Sequence, residues 1–258
     1  MLKNMIYNAF NLYKNNFISI NIPKISNNTI KFSLKTSKNL NDFFMQKTSF
    51  VEYLNIDRNL NEVPEGILII PILCNVLPVS WMFDTTIIID ELDKTFYESI
   101  NRIKNKYSDL YPKCDFKGKL IVKNIIDYEI NYNEKYLSFF SLGGVDSTST
   151  IINNIDKNPI LVNIRGSDIP LEEEVGLNYI GRKLTDFSEE FGLKRLFIKS
   201  DFRRLLNTQN LSNKFQEQLD DNWWHGLQHG MSIISHAIPY AYLYKINNVL
   251  IPSTYSYS

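Results

Sequence analysis

The sequence predicts an α/β protein, with a parallel sheet covered by helices on both faces and preceded by a smaller mixed α/β domain. Three observations predict this class. In the second half of the chain, strand-like runs alternate with helical periodicities. Those runs are continuously apolar, as expected of strands buried on both faces. The 258 residues are 44% apolar, which is enough to fill a large core. We expect an N-terminal domain at residues 1–130 and a C-terminal domain at 131–258.

The N-terminal domain has a mixed pattern of strands and one helix. Between Glu91 and Leu110, apolar residues recur every three or four positions, as on a helix packed against a sheet. The chain then turns at Pro112 and returns as a strand. Four further strands are predicted by apolar runs with Gly, Pro or Asn near their ends: FISINI (17–22), TIKFSL (29–34), GILIIPIL (66–73) and TTIIID (85–90).

The nearly uncharged stretch 67–83 has two interpretations. A membrane-spanning helix needs about 20 apolar residues, whereas this stretch is shorter and contains Pro71 and Pro78. We therefore expect two short buried strands joined by a bend, and no association with a membrane.

The C-terminal domain follows the acid- and Asn-rich segment 127–135, and it alternates strands with helices. Such alternation is typical of a parallel sheet whose ligands bind outside the carboxyl ends of the strands. The predicted strands are 135–142, 158–166, 195–200 and 247–255, and the predicted helices are 147–155, 171–192 and 222–246.

Composition and charge argue against several classes of partner. Lys plus Arg equals Asp plus Glu at 28 each, so no net charge attracts nucleic acid. Cys74 and Cys114 are far apart and form no CxxC pair, which argues against a disulfide framework or a zinc ribbon. The N-terminal segment interrupts its apolar residues with Asn and Lys, unlike a secretory signal. We expect a cytoplasmic protein that does not bind nucleic acid.

A pair of glycines, Gly143 and Gly144, ends the first strand of the C-terminal domain, and hydroxyl residues follow. Glycine permits positive φ and close approach to the main chain. The free N–H groups at a helix N-terminus bind anions, and Ser or Thr hydroxyls add donors. A tight turn with a helix N-cap is the simpler alternative, for which Asp146 or Ser147 alone would suffice. Two glycines followed by Ser147 and Thr148 favour a phosphate site.

The stretch GGVDS (143–147) resembles the pyrophosphate loop, SGGxDS, of the PP-loop ATP pyrophosphatases, which include asparagine synthetase and 7-cyano-7-deazaguanine synthase. The resemblance extends over roughly residues 131–258 and implies a Rossmann-like, adenine nucleotide α-hydrolase-like fold. It also implies an activity that uses ATP and Mg²⁺. In that activity a substrate oxygen attacks the α-phosphorus and pyrophosphate leaves. A nitrogen or sulfur nucleophile then resolves the adenylated intermediate, and nitrogen fits better here because neither cysteine follows the loop in a thiolation-like pattern.

The same resemblance implies roles for individual residues. By their positions in the motif, Gly143, Gly144, Ser147 and Thr148 would contact pyrophosphate oxygens. Asp146 would orient the loop or help to hold Mg²⁺. Asp146 and Ser147 are the predicted catalytic residues.

One residue departs from the family pattern. Leu142 stands where the family has its leading serine, and Ser141 lies one residue earlier. The loss of one phosphate-directed hydrogen bond costs about 1.5–3 kcal/mol unless Ser141 replaces it. Relatives also continue beyond a strand such as 247–255, which implies a shortened C-terminus. These departures favour an alternative function, a nucleotide-binding subunit without turnover that assembles with another protein or with copies of itself.

Other strand ends carry candidate ligand-binding residues. In the family that residues 143–147 resemble, the end of the corresponding strand lies against the nucleotide. The resemblance therefore implies that Asn163, Ile164 and Arg165, which end the second strand, line the adenosine pocket. Alternatively, they belong to a polar loop in which Asp168 caps the next helix.

Two arginines, Arg203 and Arg204, follow the third strand. They are candidates for binding an acidic substrate or a phosphate, and a solvated surface is the alternative. Ser253, at the carboxyl end of the last strand, is a further candidate for contacting the substrate.

Three histidines, His225, His229 and His236, lie at offsets of 0, 4 and 11 in the predicted helix 222–246, and therefore on one narrow stripe. The stripe is predicted to form a polar wall of the substrate cavity. One alternative is a metal site built on the first two histidines, for which a third ligand is missing. The other is that the histidines are hydrogen-bonded inside the interface between the two domains.

Overall fold

The computed structural model describes residues 16–21, 24–128, 130 and 133–252. They form helices packed on a ten-stranded mixed sheet, so the predicted α/β class is confirmed. The strands are β1 (Phe17–Ile20), β2 (Lys24–Ser26), β3 (Thr29–Thr36), β4 (Thr48–Leu54), β5 (Thr86–Asp93), β6 (Lys119–Ile126), β7 (Asn133–Phe139), β8 (Ile160–Arg165), β9 (Arg195–Ser200) and β10 (Ile246–Leu250). The helices are α1 (Glu65–Leu68), α2 (Ile70–Met82), α3 (Lys94–Leu110), α4 (Val145–Ile152), α5 (Glu174–Glu190), α6 (Thr208–Leu219), α7 (His229–His236) and α8 (Ile238–Tyr244).

The strands follow the order β10-β7-β8-β9-β4-β3-β1-β5-β6, with β2 beside β3. Strands β10, β7, β8 and β9 are mutually parallel, and so are β1, β5 and β6. Between these groups, β4 pairs antiparallel with β9, and β3 pairs antiparallel with both β4 and β1. The two parallel groups therefore run in opposite directions, and their carboxyl ends lie at opposite edges of the sheet.

The predicted boundary at residue 130 separates β1–β6 from β7–β10, which are two halves of one sheet. The largest buried cluster contains side chains from both halves, such as Leu73 and Leu137. The Tyr53 hydroxyl also donates to the carbonyl of His236 across the two halves, at 2.8 Å. A shared core and a shared sheet thus join the two halves. The division into two domains stays a prediction.

Helices pack against both faces of the C-terminal half of the sheet. On β8, Leu161 lies in a cluster with Ile151 of α4 and Leu184 of α5. Its neighbours Val162 and Ile164 belong instead to the large core on the other face. This alternation follows from the two-residue period of a strand, and it decides which β8 side chains lie on the same face as the glycine loop.

The stretch 67–83 is helical, and the prediction of two buried strands was wrong. Helix α2 buries twelve of its thirteen residues. A run that is apolar on all sides has no period that separates a helix from a strand. Pro71 lies in the first turn, where a helix tolerates proline. Within the described residues, no helix is both long enough and apolar enough to cross a membrane.

The predicted helix 222–246 is divided into three segments. A π-helical turn at Trp224–Gln228 precedes α7, and Pro239 lies in the first turn of α8. A π-turn inserts an extra residue, so side chains before it are rotated relative to those after it. The sequence patterns also did not predict β4 or α6, which the structure shows between predicted elements.

A buried polar network joins α2 to α7 and to the π-turn before it. Asn75 donates from Nδ2 to the Pro71 carbonyl at 2.8 Å. Its Oδ1 accepts from Gln228 Nε2 and from Ser232 Oγ, each at 2.9 Å. All three side chains are fully buried. Two polar side chains of the predicted long helix, Gln228 and Ser232, therefore have a hydrogen-bond acceptor in the other half of the chain.

Candidate functional site

The glycine pair follows β7, at the point where the strand order reverses. From β7 the chain adds β8 and β9 on one side, and it later adds β10 on the other side of β7. In open parallel sheets such a reversal leaves a crevice outside the carboxyl ends of the strands, and ligands bind there. The glycine loop, residues 140–144, therefore lies where the topology favours a ligand.

The two glycines have different physical reasons for being glycine. Gly143 has φ +65°, and a Cβ at this residue would lie 2.8 Å from Cζ of Phe140. Gly144 has an extended conformation that any residue adopts, with φ −76° and ψ 179°. No described atom outside its chain neighbours lies within 4 Å of the position that a Cβ on Gly144 would take. Gly143 thus makes the turn, while Gly144 leaves open space in front of helix α4.

Helix α4 begins without a side-chain cap. Its N-cap is Gly144, which has no side chain to accept a hydrogen bond from the first turn. The Thr148 N–H donates to the Gly144 carbonyl at 3.0 Å, so the helical ladder begins at that residue. The preceding N–H groups have no intrahelical acceptor, and the helix dipole adds positive potential there. The arrangement suits an anion, and the alternative of an Asp or Ser N-cap is wrong.

The side chains of α4 that were predicted to contact pyrophosphate or Mg²⁺ differ in their exposure to solvent. Asp146 is exposed on the first turn, whereas Ser147 is buried. The Ser147 hydroxyl donates to the Gly144 carbonyl at 3.1 Å. It would have to exchange this partner to contact a phosphate, while its N–H group remains in the first turn of the helix. Thr148 is half-buried beside it.

The conformation of the glycine loop is held by Asn163 from β8. Its Nδ2 donates to the Phe140 carbonyl at 3.0 Å and to the Ser141 carbonyl at 2.8 Å. Asn163 is 8% exposed, so both bonds are shielded from water. The structure therefore gives Asn163 a positioning role in the loop and leaves its amide no free donor for an adenosine.

We expect the variant Asn163→Leu to lower the free energy of unfolding by about 1–3 kcal/mol, because two buried carbonyl groups lose their donor. Chemical denaturation measures this change. The control variant is Asn178→Leu, at an exposed position on α5, which we expect to change stability by less than about 0.5 kcal/mol. Equal stability of the two variants would contradict the positioning role.

A second group of side chains meets beside the glycine loop. The Ser141 hydroxyl donates to Oδ2 of Asp168 at 2.6 Å. The Arg203 guanidinium lies 3.4 Å from the ring centroid of Trp224. The ring of His229 is 5.0 Å from that of Trp224 and nearly perpendicular to it. These five residues come from the loops after β7, β8 and β9, from the π-turn before α7 and from the first residue of α7.

The charges in this group influence one another. Burial lowers the pKa of both Arg203 and His229, whereas the nearby carboxylate of Asp168 raises both values. Arg203 also lowers the pKa of His229. Asp168 was weighed as a helix cap, but α5 begins later, with Glu173 at its N-cap. Asp168 therefore belongs to this group and does not cap α5.

Several predicted residues lie away from this group. Ile164 is buried in the large core, and the Arg165 guanidinium lies 4.6 Å from the ring centroid of Phe197, on the face covered by α5. The structure shows other surroundings for both side chains, and their assignment to an adenosine pocket stays a prediction. Arg204 forms an ion pair with Glu172 at the surface.

The three histidines do not form one wall. His225 is exposed, His229 is half-buried, and His236 is fully buried. Nδ1 of His236 lies 2.5 Å from the Ser232 carbonyl and therefore carries a proton, while Nε2 lies 3.1 Å from Ser200 Oγ. Burial lowers the pKa of His236 to about 4. The core encloses His236, so its burial gives no support to the predicted contact with substrate. Ser253 lies outside the described residues.

Metal binding by side chains alone has little support in the described part of the chain. There, no group of three or more His, Cys, Asp or Glu side chains is arranged to hold a metal ion. Mg²⁺ usually takes one or two carboxylates together with substrate phosphates and water. Asp146 is exposed on the first turn of α4, and its role as a ligand of Mg²⁺ stays a prediction.

Sequence features could have identified part of the second group. Asp168 follows a predicted strand, and Trp224 precedes His225 in the predicted long helix. No pattern in the sequence shows that they meet Arg203, because the three residues lie on separate connections.

Comparisons with protein-family models, with curated proteins and with solved structures give no match to this chain.

Proposed function

We propose that the protein binds ATP at the glycine loop and transfers its adenylyl group to a substrate oxygen, as PP-loop ATP pyrophosphatases do. The observation that carries this proposal is the open N-terminus of α4, with Gly144 in front of it, at the reversal of strand order. The resemblance of residues 143–147 to the pyrophosphate loop agrees with that geometry.

The proposed reaction has a balanced course. A substrate oxygen attacks the α-phosphorus of ATP and forms a new oxygen–phosphorus bond. The bond from the α-phosphorus to the bridging oxygen breaks, and pyrophosphate leaves with that electron pair. The N–H groups at the start of α4 would stabilise the charge on pyrophosphate, and Mg²⁺ would neutralise part of it. An amine then attacks the adenylated substrate and AMP leaves.

A second candidate function is nucleotide binding without turnover, in a protein that assembles with a partner or with itself. It is favoured by Leu142, which is 47% exposed where PP-loop enzymes have a serine. The neighbouring Ser141 does not replace that serine, because its hydroxyl is bonded to Asp168.

A turnover experiment distinguishes the two functions. The protein is incubated with α-labelled ATP, Mg²⁺ and metabolite extracts, while calorimetry measures binding of a nonhydrolysable ATP analogue. Adenylation predicts pyrophosphate and labelled AMP that depend on the extract. Binding without either product would support the second function, and the absence of binding would overturn both.

We expect the variant Leu142→Ser to bind ATP about 10- to 150-fold more tightly than the wild type, because one phosphate-directed hydrogen bond is worth about 1.5–3 kcal/mol. Calorimetric titration with the nonhydrolysable analogue measures the change. The control is Leu110→Ser, which also replaces an exposed leucine but lies at the end of α3. An affinity that is equal in both variants would show that residue 142 does not face the nucleotide.

A further inference from the structure

We propose that Arg203, Trp224 and His229 bind a singly charged oxyanion of the second substrate, such as a carboxylate, beside the glycine loop. The inference rests on the proposed function, because it concerns the molecule that receives the adenylyl group. It names the chemical class of that molecule and the side chain that recognises it.

Arg203 is held in place without being neutralised. Its guanidinium is stacked on Trp224 at 3.4 Å from the ring centroid, which restrains a side chain that is otherwise flexible. Nη1 is buried and has no acceptor within the described residues. A buried donor on a charged group is costly to leave unpaired. A ligand oxygen at this position would satisfy it, and a planar guanidinium suits a carboxylate.

The adjacent Arg204 provides a comparison within the same turn. Its guanidinium is paired with Glu172, and its side chain is 50% exposed. No described carboxylate lies within ion-pair distance of Arg203, which differs from Arg204 in this respect. Of the two arginines after β9, only Arg203 therefore has a buried donor ready for a ligand.

The position and charge of the group favour a substrate over the triphosphate. Asp168 links the group to the glycine loop through Ser141, so a bound anion would lie next to the nucleotide. The carboxylate of Asp168 also offsets part of the positive charge of Arg203. His229 lies beside Trp224 and can donate one hydrogen bond as a neutral ring. One partly offset cation and one neutral donor match a single negative charge better than a polyphosphate.

Small probes test the site directly. Benzoate, its neutral isostere benzamide, and inorganic phosphate are titrated into the full chain, and the indole N–H resonance of Trp224 is followed by NMR. We expect benzoate to shift this resonance and benzamide to leave it unchanged. In Arg203→Met, which keeps a side chain on Trp224 but removes the charge, benzoate binding should weaken at least tenfold. Arg204→Met should bind benzoate like the wild type.

The inference is overturned if benzoate and benzamide bind alike, or if the two methionine variants lose affinity equally. Arg203→Lys serves if Arg203→Met does not fold. It keeps the charge without the planar fork, and we expect an intermediate loss. Stronger binding of phosphate than of benzoate would also contradict the proposed ligand class.

A separate titration with the nonhydrolysable ATP analogue distinguishes failure of the site from failure of the proposed function. We expect Arg203→Met to bind the analogue like the wild type. If Arg203→Met loses the analogue while benzoate never binds, the guanidinium serves the nucleotide and the inference is wrong. If benzoate binds through Arg203 while the analogue does not bind to the wild type, the anion site stands and the proposed function fails.

Discussion

Replacement of Gly144 by valine is expected to leave the protein folded and to weaken ATP binding about 100-fold or more. The backbone of Gly144 already has a conformation that valine adopts, and the space around its Cβ position is open in the described structure. A valine side chain would occupy the space in front of the first N–H groups of α4. The loss of one or two charge-assisted hydrogen bonds, at about 1.5–3 kcal/mol each, accounts for the expected factor.

Calorimetry with a nonhydrolysable ATP analogue measures this effect, and circular dichroism and thermal unfolding confirm the fold of the variant. The matched control is Gly230→Val, because Gly230 is exposed in α7 and also has open space at its Cβ position. We expect this control to keep full affinity. Unchanged binding in a folded Gly144→Val would remove the basis for a phosphate site at α4.

Acidification from pH 6.5 to pH 4 is expected to destabilise the protein by about 3 kcal/mol through His236 alone. Burial lowers the pKa of His236 to about 4, against about 6.5 in an unfolded chain. The unfolded state therefore takes up a proton first as the pH falls. The stability that this histidine gives is complete above pH 6.5, and it declines by about 1.4 kcal/mol per pH unit until the folded pKa is reached.

Urea unfolding at a series of pH values measures this dependence. The variant His236→Gln places a group that does not titrate in the same site. We expect it to be less stable at pH 7, because it disturbs the bonds to Ser232 and Ser200, but to lose about 3 kcal/mol less than the wild type between pH 6.5 and pH 4. The control His225→Gln replaces an exposed histidine and should keep the dependence of the wild type. An unaltered pH slope in His236→Gln would contradict the burial of a neutral ring.

Local patterns predicted the elements that bear the glycine loop. Strand β7, the turn at Gly143 and Gly144, and helix α4 are all present where the residues 135–155 indicated them. Each depends on interactions between near neighbours in sequence, such as the φ of +65° at Gly143. The helices of 67–83 could not be predicted in this way, because uniform burial removes the periodicity that separates a helix from a strand.

The assignment of side chains to the site needed more than local patterns. Asn163 was expected to face a nucleotide, whereas its amide is used by two carbonyls of the glycine loop. His225 was expected on one stripe with His229 and His236, whereas the π-turn at Trp224–Gln228 separates it from the helix that bears the other two, and packing encloses His236 in the core. A hydrogen-bond partner from another strand, or an inserted residue in a helix, is decided by packing and leaves no regular signal in sequence.

By itself the sequence determined the α/β class, the four strands and the first two helices of the C-terminal half, and the glycine turn that precedes α4. These follow from short-range sterics and from the burial of apolar residues, which operate within about ten to twenty residues. Only the tertiary structure decided that β4 joins the two halves into one sheet, that β10 reverses the strand order beside β7, and that Ser141, Asp168, Arg203, Trp224 and His229 lie together. Those contacts join residues that are distant in sequence, and their geometry depends on how the whole core packs.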